Sequence, residues 1–154
     1  MAGRVIVITS GKGGVGKTTI AAALVKLFAK SRRAVYAIDA DPDVCLAAAI
    51  GIPDEITSEL KPLVEMKDLI NAKTGGQGSF FTLNPKVDDD LDSYCITKGN
   101  INYLRMGGVK KGGSACYCRE NSFLHAVVSA LLLEKDDIVI MDMGAGIEHL
   151  SRGT

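Results

Sequence analysis

The sequence predicts an α/β fold with a mostly parallel sheet flanked by helices, on three observations. Two strand-length apolar runs, Val5–Ile8 and Ala34–Ile38, are separated by one helix-length amphipathic segment. A further run of the same kind, Asp137–Met141, stands near the end of the chain. Each of the three ends, at its carboxyl side, in a glycine-rich or aspartate-rich turn. Strand–helix–strand order implies parallel strands joined by a right-handed crossover. Ligands of open parallel sheets sit at those carboxyl ends.

Taken in order, Val5–Ile8 is a β-branched run that reads as a buried strand, and Thr9–Gly16 is a loop. Thr18–Lys30 is helical, because Ala21, Leu24, Val25 and Phe28 recur at three- and four-residue spacing. The strand Ala34–Ile38 runs into Asp39-Ala40-Asp41-Pro42, and Leu46–Ile50 is a short helix closed by Gly51 and Pro53. Between Asp54 and Asn100 the pattern is less regular. There Gly75-Gly76-Gln77-Gly78 reads as a turn, Phe80–Leu83 as a candidate strand and Asp88–Asp92 as a solvated acidic loop. Ile101–Met106 is another strand, Glu120–Glu134 a helix, and Asp137–Met141 a buried strand leading into Asp142-Met143-Gly144-Ala145-Gly146.

The length, 154 residues, fits one domain over 1–154 with a single core. Eighteen basic side chains balance eighteen acidic ones, so no global field draws the chain to nucleic acid or to a membrane surface. The longest apolar runs, such as Ala126–Leu133, are too short to cross a bilayer. The first residues lack the layout of a secretory signal. The expectation is a cytoplasmic protein with neither nucleic acid nor membrane as partner. Its four cysteines (Cys45, Cys95, Cys116, Cys118) are then thiols or metal ligands rather than a disulfide framework.

The strongest motif is Gly11-Lys12-Gly13-Gly14-Val15-Gly16-Lys17-Thr18, followed by Thr19, which matches the phosphate-loop pattern G-x-x-x-x-G-K-[ST] between a strand and a helix. Its glycines let backbone N–H groups converge on a polyphosphate, and the helix adds its positive end. Lys17 is placed to reach the β- and γ-phosphates, and the Thr18 hydroxyl to ligate Mg²⁺. The expected fold is therefore that of a P-loop NTPase that binds ATP with Mg²⁺.

A second lysine in such a loop is ordinarily solvent decoration. Lys12, however, follows the first glycine in "GKGGVGKTT", which resembles the deviant Walker A motif of the MinD/ParA/nitrogenase-iron-protein class of P-loop ATPases. The resemblance implies a homodimer in which Lys12 reaches across a two-fold interface to the partner's phosphates. It also implies that Asp41, in the D-x-D-P of the first switch, positions the attacking water. Asp39 then helps to hold the waters of the metal, and Asp142 holds Mg²⁺. Gly144 and Gly146 form a flexible second switch. Catalysis is thus expected from Asp41, Lys12 and Lys17.

Cys116-Tyr117-Cys118 lies just before the helix that starts near Glu120. In an extended segment, residues two apart share a face, so both sulfurs could grasp one ion. One C-x-C supplies two ligands where closed thiolate sites want four, and a two-fold axis would complete an S₄ site. The spacing alone fits two ordinary thiols equally well. "DADPDVCLA", "GGSACYCRENSFL" and "VIMDMGAGIEHLSRG" together resemble the CooC-type accessory ATPases that mature nickel enzymes, over Val5 to Gly153. The resemblance implies an ATP-dependent dimer whose shared C-x-C site binds Ni²⁺ or Zn²⁺. Its client would be carbon monoxide dehydrogenase or acetyl-CoA synthase. Cys45 reads as a packing residue of the first switch and Cys95 as structural. Two other readings stand beside this one: a MinD/ParA-type positioning ATPase, and an electron-transfer ATPase with a [4Fe–4S] cluster between subunits. Members of the family continue past the second switch, whereas this sequence stops at Thr154. The C-terminal part of the family domain is therefore expected to be missing, with an apolar sheet edge left open.

Overall fold

Four consecutive branched apolar residues keep the first segment extended, and β1 runs Arg4–Ser10. The computed structural model describes residues 4–31, 34–75, 94–107, 125–128 and 137–145. The phosphate loop leads into α1 (Lys17–Ala29), whose buried side chains are Lys17, Ala21, Ala22 and Val25. β2 (Val35–Ala40) carries Asp39 inside the strand rather than after it. α2 (Leu46–Ile50) has the limits that the sequence predicts.

The irregular middle holds more structure than its pattern suggests. Pro53 opens α3 (Asp54–Thr57), with Asp54 and Glu55 favourably placed in its first turn. A 3₁₀ turn follows at Leu63–Glu65, and α4 spans Lys67–Thr74. β3 (Ile96–Lys98) and β4 (Ile101–Arg105) form a hairpin in which Lys98 pairs with Ile101 across the two-residue turn Gly99–Asn100. β5 spans Ile138–Ala145, so Asp142 and Gly144 both lie within the strand. Residues 125–128 are helical, within the expected Glu120–Glu134 helix. The remainder of that helix, the Phe80–Leu83 strand, the Asp88–Asp92 loop and Gly76–Gly78 lie outside the described residues.

The strand order is β1-β5-β2-β4-β3. β1, β5, β2 and β4 are parallel, and only β3 runs antiparallel. The expected mostly parallel sheet is therefore found, with β5 inserted between the two strands that α1 connects. Alternation along β5 divides the core: Ile138 and Ile140 pack with Ala21, Val25, Leu46 and Tyr103 on one face. On the other face Val139, Met141 and Met143 pack with Leu63, Ile70, Ala126 and Val127. Full burial of each branched side chain contributes roughly 1.5–3 kcal/mol, so this interior strand anchors the sheet.

β1 departs from its expected burial. Among the described residues it pairs with β5 alone, and Val5 and Val7 are 38% and 49% exposed. Ile6 and Ile8, on the other face, are partly buried against the α1 side of the core. The run of branched residues dictates an extended backbone, but the number of neighbouring strands is set by pairing that no local pattern encodes. β1 stands at one edge of the sheet among the described residues. Among the described residues no helix is long and apolar enough to cross a membrane.

Candidate functional site

Because β1, β5 and β2 are adjacent and parallel, the segments at their carboxyl ends converge. The loop after β1 is braced internally, with the Ser10 hydroxyl donating to the Lys12 carbonyl at 2.6 Å. Gly14 and Gly16 take φ of +75° and +91°, the left-handed region that costs any residue with a Cβ. No side chain caps the start of α1, which leaves that helix end available to an anion.

A cleft of about 210 Å³ opens there, lined by Gly13, Gly14, Gly16, Lys17, Thr18 and Thr19. Asp41, Asp43, Cys45 and Ala145 line it as well. Most of the phosphate-loop residues expected from the motif therefore share one cavity with the first switch. Gly11, Lys12 and Val15 are exposed and do not line it. Lys17 is only 8% exposed, and its Nζ lies 4.0 Å from Asp41 Oδ2. The cation and the expected water-positioning carboxylate thus face each other across the cleft.

Asp39 and Asp142 stand side by side in register on β2 and β5, and both are fully buried. Asp39 is well served: its Oδ1 accepts the Asp41 amide, and its Oδ2 accepts the Leu46 amide and the Tyr103 hydroxyl, each at 3.2 Å. Burial outweighs these bonds and pushes its carboxyl up to about 6, with a smaller push from Asp142. Among the described residues neither Asp142 oxygen accepts a well-formed hydrogen bond. Burial raises its pKa too, and Asp41 adds to the rise, while the nearby Thr18 hydroxyl and Lys17 oppose it. An orphaned, buried carboxylate beside a threonine hydroxyl is costly alone and is the donor set that a hard divalent cation seeks. These residues therefore fit Mg²⁺.

Cys45 is exposed rather than packed, and its Sγ donates to the Asp43 carbonyl at 3.1 Å. Desolvation, followed by the carboxylates of Asp39, Asp43, Asp41 and Asp142, holds its thiol above the ordinary range, which keeps it protonated. Cys95 is partly buried against the core, as expected of a structural residue. Asp43, Cys45 and Ala145 were not singled out from sequence as part of the cavity; only their closeness to the switch motifs signals it. Gly144 is held in β5, while Gly146, Cys116 and Cys118 lie outside the described residues. Among the described residues no group of three or more His, Cys, Asp or Glu side chains could hold a metal ion.

The carboxylate pair gives a pH prediction. A carboxyl whose folded pKa is raised binds more protons in the native state than in the unfolded state. Stability therefore falls as pH rises from the unfolded value through the folded one. For Asp39 the window is about pH 4 to 6, with a cost on the order of 3 kcal/mol above it. Asp142→Asn removes one charge of the pair. Without Mg²⁺, its melting temperature should match the parent near pH 4 and exceed it by roughly 5 °C at pH 7, the shift for about 2 kcal/mol. Melting curves across that range check this, and a variant less stable than the parent at pH 7 would contradict it.

Comparison with known proteins agrees with this geometry. Residues 6–152 match the CobQ/CobB/MinD/ParA nucleotide binding domain family. The chain is 42% identical over 151 residues to the carbon monoxide dehydrogenase accessory protein CooC of Rhodospirillum rubrum, covering 96% of this chain and 57% of that protein. It is 43% identical over 149 residues to an uncharacterized ATP-binding protein of Methanocaldococcus jannaschii, covering 94% of this chain and 56% of the relative. The chain thus spans little more than half the length of these curated relatives. Among solved structures, a ParA family ATPase from Chlorobium tepidum aligns with a TM-score of 0.57 at 16% identity, over 96% of this chain and 54% of that one. The MinC:MinD cell division complex of Aquifex aeolicus aligns with a TM-score of 0.52 at 22% identity, over 94% and 49%. At these identities the structural likeness concerns the fold, which is that of the P-loop NTPases.

Proposed function

The chain belongs to the CobQ/CobB/MinD/ParA nucleotide-binding domain family, and from that premise we propose that it is a MgATP-dependent ATPase that dimerises on ATP and serves nickel-enzyme maturation. The observation that carries the ATPase reading is the orphaned Asp142 carboxylate beside Thr18 at the mouth of the phosphate loop. Thr18 and Asp142, with Asp39 behind them, would hold Mg²⁺, which supplies positive charge against the β- and γ-phosphates. Gly13, Gly14 and Gly16 bring backbone amides to the phosphate chain, and Lys17 neutralises its terminal charge. Asp41, held 4.0 Å from Lys17 and 16% exposed on the cleft, orients the attacking water. Gly144 and Gly146 turn the second switch toward the γ-phosphate.

The dimer reading rests on Lys12, an exposed loop cation that does not line its own cleft. Such a cation is free to serve the phosphates of a second copy, where charge develops during transfer. The nickel reading rests on the likeness to CooC and on the Cys116/Cys118 pair. The setting is the cytoplasm, and the client is carbon monoxide dehydrogenase or acetyl-CoA synthase. Ni²⁺ or Zn²⁺ is the cargo, held by two thiolates from each subunit.

Metal titration tests this reading. Saturation should occur at one Ni²⁺ or Zn²⁺ per two chains, accompanied by a doubling of mass in light scattering. Affinity should fall with pH as protons compete for the thiolates. Serine at Cys116 or Cys118 should remove both effects. One ion per chain, or binding that persists in the doubly substituted protein, would overturn the shared site.

A further inference from the structure

We propose that Tyr103 is a positioning residue of the first switch: its hydroxyl fixes the Asp39 carboxylate that in turn clamps both ends of the loop carrying Asp41. The proposal rests on the ATPase reading above and adds a residue on β4, outside every motif of the nucleotide site.

The clamp is read from four contacts. Asp39 Oδ1 accepts the Asp41 amide and Oδ2 the Leu46 amide, so one carboxylate holds the first and last residues of the segment 41–46. The Tyr103 hydroxyl donates to Oδ2 at 3.2 Å, from a side chain with no exposed surface. The Asp39 backbone is tied to the same strand exit, its carbonyl accepting the Met106 amide at 2.8 Å. A carboxylate rotates about one bond to its Cα–Cβ stem, and a rigid phenol anchored in the core restricts that rotation. Tyr103 packs among Val35, Ala37, Ile138 and Ile140 and has no room to follow a moving loop.

The clamped segment needs such a hold. Val44, in its middle, sits at φ +39°, the only positive φ on a non-glycine among the described residues. A β-branched residue there is strained, and strain persists only where the surroundings over-determine the backbone. The Asp41 side chain, which faces Lys17, takes its position from this segment; its Oδ1 accepts the Asp43 amide at 3.0 Å. The phosphate loop lies on a different element, and among the described residues Tyr103 makes no side-chain hydrogen bond to it. Loss of the phenolic hydroxyl should therefore disturb the water-positioning carboxylate and leave phosphate binding intact.

Tyr103→Phe keeps the ring and deletes only the donor. Its kcat for ATP should fall about tenfold while KM and the affinity for ATP stay within about twofold. Independently of turnover, hydrogen exchange at the Asp41 and Leu46 amides should quicken about tenfold, while the Leu104 amide in β4 keeps its rate. A packing role alone would quicken exchange across β4 or raise KM with kcat unchanged, and either result overturns the proposal. Unchanged exchange at both clamped amides overturns it as well. If the parent protein itself does not hydrolyse ATP, the ATPase reading fails and the exchange rates still decide the clamp.

Discussion

Lys17→Ala should bind ATP at least about 100-fold more weakly than the parent, because it deletes the buried cation matched to the terminal phosphates. The protein should remain folded. Alanine is the better helix former at the first position of α1, and the substitution removes a buried charge whose nearest anion, Asp41, lies at the 4.0 Å limit of an ion pair. Calorimetric titration with MgATP, alongside a melting curve, separates the two effects. Equal affinity in both proteins would remove Lys17 from the phosphate site.

Lys12→Ala should behave in the opposite way. The side chain is exposed and off the cleft, so a single chain should bind ATP as before. Hydrolysis should nevertheless fall about 100-fold, the scale for removing one positioned donor from a developing charge. The contrast between the two lysines of one loop is what a dimer-dependent site requires. Initial rates at saturating ATP supply the measurement, and an unchanged rate would return Lys12 to solvent.

What was legible in the sequence was whatever is written locally. Glycine spacing and a following Lys-Thr specify the phosphate loop, because a tight anion cradle tolerates few alternatives. Three- and four-residue periodicity located α1, and a short apolar run before Gly51 located α2, each within a residue of its limits. The placement of Asp39 and Asp142 toward the carboxyl ends of their strands followed from two apolar runs that both end in aspartate, whereas their side-by-side register did not. Structure held by distant contacts was not legible. The 3₁₀ turn at Leu63–Glu65 depends on the Val64 amide reaching the Met106 carbonyl. Among the described side chains of α4 only Ile70 is a buried hydrophobic, too few to show a period. Tyr103 reads as strand core, and its hydroxyl finds Asp39 64 residues away, a pairing that appears only once β2 and β4 are side by side. The placement of β1 was no more legible: among the described residues it pairs with β5 alone, Ile8 with Asp142 from the far end of the sequence.

The claim at the centre of this account is that ATP joins two copies through Lys12. Light scattering of the parent with Mg²⁺ and a non-hydrolysable ATP analogue tests it most directly, beside Lys12→Ala at a matched degree of nucleotide saturation. The expected result is a mass that doubles on adding the analogue to the parent and stays at one chain in the variant. A parent that remains monomeric when saturated, or a variant that dimerises with the parent's affinity, would contradict it.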